Sequence, residues 1–250
     1  MFYFQRGETM RTKIFVATGS PMENFNHKDY YPILVGEHDH EFLDSPILRD
    51  TVGDSLAHKN PHYCELTALY WAWKNDVDNF DYIGLCHYRR FFAFDGGGPR
   101  LFPKEGLPAS VIDAEAVPAI LSHYDIILPT VAAMHETIYE NYARHHRIED
   151  LHAVLAIMDE KFPEYHISAR HALGLTSGYY YNMFITSKEI FVEYMNWLFT
   201  ILFELEKRIQ IPDDPYQARI FGFLAERMFN IFIMHKQLRV KTLPIVFTEK

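Results

Sequence analysis

Cysteine is scarce in this chain: Cys64 and Cys86 are the two present among 250 residues. Two thiols make neither a disulfide framework nor a zinc-ligand set, and they suit a reducing compartment. Basic charge is short too, with 24 Lys and Arg against 33 Asp and Glu and a net charge of −9. Nucleic-acid binding depends on a basic field, so that class of partner is excluded. No apolar run approaches the ~20 residues of a membrane-spanning helix. Residues 1–10 hold no basic start leading into an apolar core, so no signal peptide is expected. These absences predict a soluble, cytoplasmic protein with at most peripheral association at the inner face of the cell membrane. Also missing are internal repeats, low-complexity tracts and the Gly-x-Gly-x-x-Gly fingerprint of dinucleotide binding.

What is present is apolar and aromatic: 48% of residues are hydrophobic and 16% are Phe, Trp or Tyr, enough for one large α/β domain. The organising stretch is residues 80–92. It opens with the apolar run Tyr82-Ile83-Gly84-Leu85-Cys86, the length of a buried parallel strand and too short for a helix. It then turns abruptly to His87-Tyr88-Arg89-Arg90. In open α/β sheets ligands bind outside the carboxyl ends of the strands. Guanidiniums match phosphate oxygens with paired donors and keep their charge at any pH, so an anionic ligand is expected there. An isolated Arg pair more often solvates a loop; its place after a buried strand favours the ligand.

Residues 13–18 (Lys-Ile-Phe-Val-Ala-Thr) form a first strand, and Gly19-Ser20-Pro21 a turn where a ligand can approach the backbone. Residues 22–60 look loop-rich with a short strand at 33–35, and Glu37-His38-Asp39-His40-Glu41 reads as a solvated loop rather than a metal site. Asn60 and Pro61 predict a helix start, with Leu66, Leu69, Tyr70 and Trp73 along one face. Glu65 on that helix is either an exposed charge or a buried, paired one. Gly53-Asp54-Ser55 and Lys59-Asn60, just ahead of the helix, sit where its dipole favours an anion. Asp76 and Asp78 precede the key strand, at the end away from the ligand, and are rejected as catalytic. Asp95 stands in a glycine-rich loop as a weak alternative metal ligand.

A short helix over 113–123 and a strand over 125–128, stopped by Pro129, come next. Helices over 136–147 and 149–161 follow, the second capped by Asp150 or its neighbour. His145 and His146 are read as surface residues. Residues 178–185 look like a strand, and Ser187 caps a long helix from 188 to about 209. Asp213-Asp214-Pro215 starts a further helix bearing Tyr216, Gln217, Arg219, Glu226 and Arg227. Residues 240–247 form a last strand. Asp213 and Asp214 read equally well as helix caps or as a proton acceptor near Gln217 and Arg219.

Several pieces of this sequence carry a resemblance. They are Lys13-Ile14-Phe15-Val16-Ala17-Thr18, Gly53-Asp54-Ser55, Lys59-Asn60-Pro61, residues 64–75, Asp81-Tyr82-Ile83-Gly84-Leu85 and His87-Tyr88-Arg89-Arg90. The second half adds Tyr181-Asn182-Met183-Phe184, Asp214-Pro215-Tyr216-Gln217-Ala218-Arg219 and residues 222–227. From Lys13 onward the chain resembles bacterial glycosyltransferase-like proteins of capsule and exopolysaccharide clusters, long known as a domain of unknown function. Gly19 departs from relatives that often carry His there.

The resemblance implies an α/β, GT-A-like fold: a Rossmann-type sheet flanked by helices, with a helix-rich C-terminal half. Residues 10–250 would form one such domain, about 10–130 taking the nucleotide sugar and 131–250 the acceptor, with 1–9 as an extension. It implies a hexosyltransferase using a nucleoside-diphosphate sugar, most simply UDP-linked, and a glycan or lipid-linked oligosaccharide acceptor. Arg89 and Arg90, helped by His87 or Arg219, would stabilise the departing diphosphate. Asp214, or else Asp213, would be the general base. Glu226 is the fallback, although beside Arg227 it reads as a structural ion pair. Thr18, Asp54, Lys59, Asn60, Tyr88, Asn182, Gln217 and Arg219 would bind substrate. GT-A enzymes usually place an Asp-x-Asp metal pair where His87-Tyr88-Arg89-Arg90 stands, so no cofactor is expected, with Mn2+ or Mg2+ as the alternative. A nucleotide-sugar or glycan-binding module without turnover is the second reading. A Cys86–His87 hydrolase is disfavoured, because adjacent strand residues face opposite ways.

Overall fold

Residues 14–17 alternate between two faces of a strand, and all four are apolar, so this strand is buried only if covered on both sides. The computed structural model describes residues 10–22, 25, 27–37, 47–94, 101–102 and 110–248, and places β1 (Thr12–Thr18) inside a mixed sheet. β2 (Tyr30–Leu34) and β3 (Leu48–Arg49) extend it in parallel on one side. After α1 (Asn60–Tyr63) and α2 (Leu66–Trp71), β4 (Tyr82–His87) pairs in parallel with the other edge of β1. β5 (Arg90–Phe92) doubles back on β4. The chain continues through β6 (Leu101–Phe102), α3 (Ala116–Leu121), β7 (Ile126–Pro129) and β8 (Ala132–Ala133). Then come α4 (Ile138–His145), α5 (Ile148–Lys161), α6 (His166–Leu173) and β9 (Ser177–Gly178). β10 (Phe184–Ser187) runs antiparallel between β4 and β7. α7 (Lys188–Glu206) and α8 (Ile220–Lys236) lead to β11 (Val240–Leu243), parallel to β7, and β12 (Ile245–Thr248), paired with β5 and β6.

The strand order is β3-β2-β1-β4-β10-β7-β11, the expected α/β class with a helix-rich C-terminal half. Phe15, Ala17, Ile83, Leu85, Ile126 and Leu128 face a core shared with α2, α7 and α8; Ile14, Val16, Cys86 and Ile127 face a second core with Phe91, Ile112 and Val117. Cys86 is thus sealed on the face opposite His87. Ser187 caps α7 as expected, its hydroxyl accepting from Ile190 N at 3.4 Å. Among the described residues no helix is long and apolar enough to cross a membrane.

Several expected elements are interrupted. The helix predicted from Asn60 stops after one turn at Cys64 (φ 52°) and restarts at Leu66. Asn60 is not its cap: its amide donates to Cys64 O (2.9 Å) and Thr67 Oγ1 (3.2 Å), satisfying the carbonyl that the break exposes. The strand over 178–185 is cut by left-handed residues Tyr181 (φ 76°) and Asn182 (φ 51°). Asp214 Oδ1 accepts from the backbone of Tyr216 (3.1 Å) and Gln217 (2.8 Å), closing a 3-10 turn, so α8 starts later, at Ile220. Asp150 lies inside α5, gripped by Arg147, rather than at its cap. Pro244 has no N–H for a ladder and divides the final strand. α6 escaped notice because Ala169, Ala172 and Leu173 give it only a thin apolar stripe. Residues 1–9, His38 to Glu41 and Asp95 lie outside the described residues.

Candidate functional site

The carboxyl ends of β1 and β4 lie side by side, Ala17 opposite His87, and a cleft of about 390 Å³ opens beyond them. Thr18, Asn60, Glu65, His87, Tyr88 and Arg219 line it, with Cys64 and Pro215 between them. Five of those six side chains were expected at a ligand site; Glu65 was the one left open.

Glu65 reaches the cleft because of the break at Cys64. There α1 meets α8 at Gly222, where an added Cβ would stand 3.1 Å from Cys64 Sγ and 3.3 Å from its Cβ. The close approach bends the chain and turns Glu65 inward. A second unusual backbone locks it: Asn182 Nδ2 donates to Glu65 Oε1 (2.6 Å) and to Gly222 O (3.2 Å). Glu65 Oε2 has no partner among the described residues. Tyr181 N donates to Glu226 Oε1 (2.8 Å), and Arg227 Nη1 donates to Glu226 Oε2 (2.8 Å), so Glu226 is the structural ion pair read from the sequence. Burial pushes the Glu226 carboxyl up, against the pull of Arg227. Left-handed Cys64, Tyr181 and Asn182 each cost backbone strain of ~1–3 kcal/mol and gather at one site, as strain does where function holds it.

His87 Nε2 lies 2.6 Å from Tyr181 O. A carbonyl only accepts, so Nε2 bears the proton and Nδ1 keeps its lone pair. Burial lowers the His87 pKa below its usual 6.5, and Arg90 and Arg219 lower it further, against the pull of Glu65 and the Tyr181 carbonyl. Below 6.5 the unfolded chain takes up a proton that folded His87 refuses, so stability falls as pH falls. His87→Gln keeps a donor for Tyr181 O and removes the titration. Its melting temperature is expected to drop less than the parent's between about pH 7 and about pH 5, which melts across that range check. An equal drop in both proteins would remove His87 from the acid response.

The cations flank this pair. Arg90 lies 4.7 Å over the Tyr181 ring, with Nε buried and without a partner among the described residues. Arg219 Nε donates to Cys64 Sγ (3.3 Å), and Arg89 stacks at 4.7 Å on the partly exposed ring of Tyr88. The remaining expected residues have other partners. The Asp54 carboxylate accepts from Tyr70 OH (3.0 Å) and the Asp54 N–H donates to Asn75 Oδ1 (2.9 Å), while Lys59 pairs with Glu206 (2.7 Å). The one-turn α1 therefore presents no anion site at its start. Asp214 and Gln217 line a neighbouring cavity of about 330 Å³, with His146, which is half-buried and not the surface residue expected. Asp76 holds Lys13 and Asp78 faces Lys188, at the far end of β4.

Among the described residues no three His, Cys, Asp or Glu side chains gather as metal ligands. In the cleft, Glu65 and His87 would have to share a divalent ion with two adjacent guanidiniums, which repel it. This donor set does not fit Mn2+ or Mg2+. Sequence reasoning missed Glu65, Cys64 and Tyr181 as site members; the one signal was the charged Glu65 set among apolar helix neighbours.

Comparison with known proteins adds three findings. A family described as a domain of unknown function, DUF4422, matches residues 13–237. No protein with a curated description matches. A solved structure described as the WbbM bifunctional glycosyltransferase in its apo form is similar at 32% identity and a TM-score of 0.80, covering 96% of this chain. The chain spans about half, 46%, of that protein's length.

Proposed function

The chain belongs to the DUF4422 family, and from that premise we propose that it is a glycosyltransferase of GT-A-like fold. In this reading it moves a hexose from a nucleoside-diphosphate sugar, UDP-linked, to a glycan or lipid-linked oligosaccharide during surface-polysaccharide assembly. The likeness to WbbM supports the reaction class. The observation that carries the reading is the strand-end cleft itself, lined by Glu65, His87 and Arg219, with Arg90 opposite His87 in the β4–β5 pair.

The acceptor hydroxyl attacks C1 of the sugar, the bond from C1 to the diphosphate oxygen breaks, and that oxygen keeps the electron pair. Negative charge therefore builds on the diphosphate as the sugar becomes cationic. Arg90, whose buried Nε has no partner among the described residues, and Arg219 stabilise that charge, with Arg89 stacked on Tyr88 of the cleft lining. Fixed donors of this kind contribute ~3–4 kcal/mol each. Glu65 takes the acceptor proton on Oε2 while Asn182 holds Oε1. Neutral His87 offers Nδ1 as an acceptor to a substrate hydroxyl, a positioning contribution rather than the anion stabilisation inferred from sequence. Asp214 lies in the other cavity and is not the base in this reading. Guanidiniums replace a metal ion here.

A thermal-shift series tests the proposal. UDP or a UDP-sugar should raise the melting temperature more than adenine or guanine nucleotides do. At 100 times the dissociation constant the gain is ~2.7 kcal/mol. The shift should persist in EDTA, vanish with Arg90→Ala or Arg219→Ala, and return in part with Lys, which lacks the planar fork. A full nucleotide panel that leaves the melting curve unmoved sinks the proposal. A shift that needs Mn2+ places the charge on a metal instead.

A further inference from the structure

The second cavity borders the cleft and shares a wall with it. Pro215 and Arg219 line the cleft, while Pro212, Asp214 and Gln217 line the cavity, so residues 212–219 separate two openings. The Phe223 ring joins them: it lines the cavity and lies 5.5 Å beneath the Arg219 guanidinium.

His146 and Phe223 give the cavity an aromatic side. The His146 ring stacks on Phe223 with centroids 4.2 Å apart and 26° between planes, and nearly parallel to Tyr216 at 6.1 Å and 23°. Tyr216 is 55% exposed and stands in the chain between Pro215, which lines the cleft, and Gln217, which lines the cavity. The polar groups have a definite sense. Gln217 Nε2 donates to His145 O (3.0 Å), which leaves Gln217 Oε1 as the acceptor facing His146 Nδ1 (2.9 Å). His146 Nδ1 therefore carries the proton, and Nε2 is an acceptor. Burial lowers the His146 pKa, with Arg227 and His145 adding to it, so the ring is neutral near pH 7. Asp214 Oδ1 is engaged by two backbone N–H groups, and Oδ2 has no partner among the described residues.

The cavity's cations are already matched. Arg147 grips Asp150 and Arg144 pairs with Glu136. An anion entering would meet Asp214 with little free positive charge to hold it. A ligand that donates hydroxyl hydrogens and presents an apolar face suits the lining better. A pyranose does both, with C–H groups for the rings and equatorial hydroxyls for Asp214 and His146.

We propose that this cavity is a second carbohydrate subsite, holding inner residues of a neutral oligosaccharide acceptor whose terminal hydroxyl reaches across Tyr216 and Pro215 to Glu65. The proposal rests on the glycosyltransferase reading for its direction, and on the cavity alone for its chemistry.

Saturation-transfer NMR tests it, using trisaccharides of glucose, galactose, mannose and rhamnose and their monosaccharides. At least one trisaccharide should bind about tenfold more tightly than its monosaccharide, and should stay bound when UDP is saturating. Tyr216→Ala, a change at an exposed side chain, should weaken that binding about tenfold while the UDP-induced melting shift stays as in the parent. Displacement by UDP, parent-like binding in Tyr216→Ala, or no saturation of any panel member overturns the subsite. None of those results touches the UDP shift, so the two proposals fail separately.

Discussion

Glu65→Gln is expected to keep the fold and the UDP-induced melting shift while lowering sugar transfer by roughly 10²–10⁴-fold, the usual range for a lost general base. The amide keeps the size of the carboxylate and can still accept from Asn182 Nδ2, now 2.6 Å from Oε1. What disappears is the proton-accepting oxygen at Oε2. Asp214→Asn is the contrasting variant: its Oδ1 can still receive Tyr216 N and Gln217 N, so the turn closes as before. Turnover of a bound UDP-sugar should stay near the parent rate in Asp214→Asn, with any loss appearing as a higher acceptor KM. Rates for both variants decide the matter. Parent-like turnover in Glu65→Gln, or collapse of kcat in Asp214→Asn, would return the base to Asp214.

The second large effect is on stability. Arg227 is 4% exposed. It donates to Glu226 (2.8 Å), Phe223 O (3.1 Å) and Asn141 Oδ1 (3.1 Å), and lies 5.3 Å from the rings of both Tyr142 and Tyr180. Arg227→Ala leaves the buried Glu226 carboxylate without its counter-charge, which costs ~3–5 kcal/mol in comparable cases. Urea unfolding near neutral pH measures it. The pH dependence has a definite sign. In the variant the largest opposing pull is gone, and burial with nearby Glu65 raises the Glu226 pKa further against the Tyr181 N–H and Arg219, so folded Glu226 keeps a proton that the unfolded chain releases near 4.5. The deficit should therefore grow as pH rises from about 4.5 and shrink in acid. Glu226→Gln in the same chain should recover part of the loss. A deficit under ~1 kcal/mol, flat with pH, would show that Arg227 acts by packing alone.

The same residues show where sequence reasoning stopped. Phe15, Ala17, Ile83 and Leu85 announced buried strands as parts of short continuous apolar runs, and Ser187 announced a helix start through a cap within three residues. Those signals are short-range, so no partner needed to be known. Thr18, Asn60, His87, Tyr88 and Arg219 were legible as ligand-type side chains near strand or helix ends. Glu65 could not be resolved, since nothing beside it in the chain distinguishes an exposed helix charge from a buried one. Asp214 and Gln217 read with Arg219 as one constellation at a helix start, yet Arg219 lines the cleft and they line the other cavity. A 3-10 turn separates their faces, and its pitch is invisible in a helical pattern.

The sequence by itself determined the α/β class, the strand ending in His87-Tyr88-Arg89-Arg90, and the concentration of cationic and aromatic side chains near it. Tertiary structure alone decided which carboxylate stands there. Gly222 leaves room for Cys64, whose Sγ would stand 3.1 Å from an added Cβ, and α1 breaks at that contact. Tyr181 and Asn182 are held left-handed by Glu226, His87 and Glu65, residues remote from them in the chain. A conformation costing ~1–3 kcal/mol per residue has no local preference to announce it. It exists only because several distant partners meet there at once.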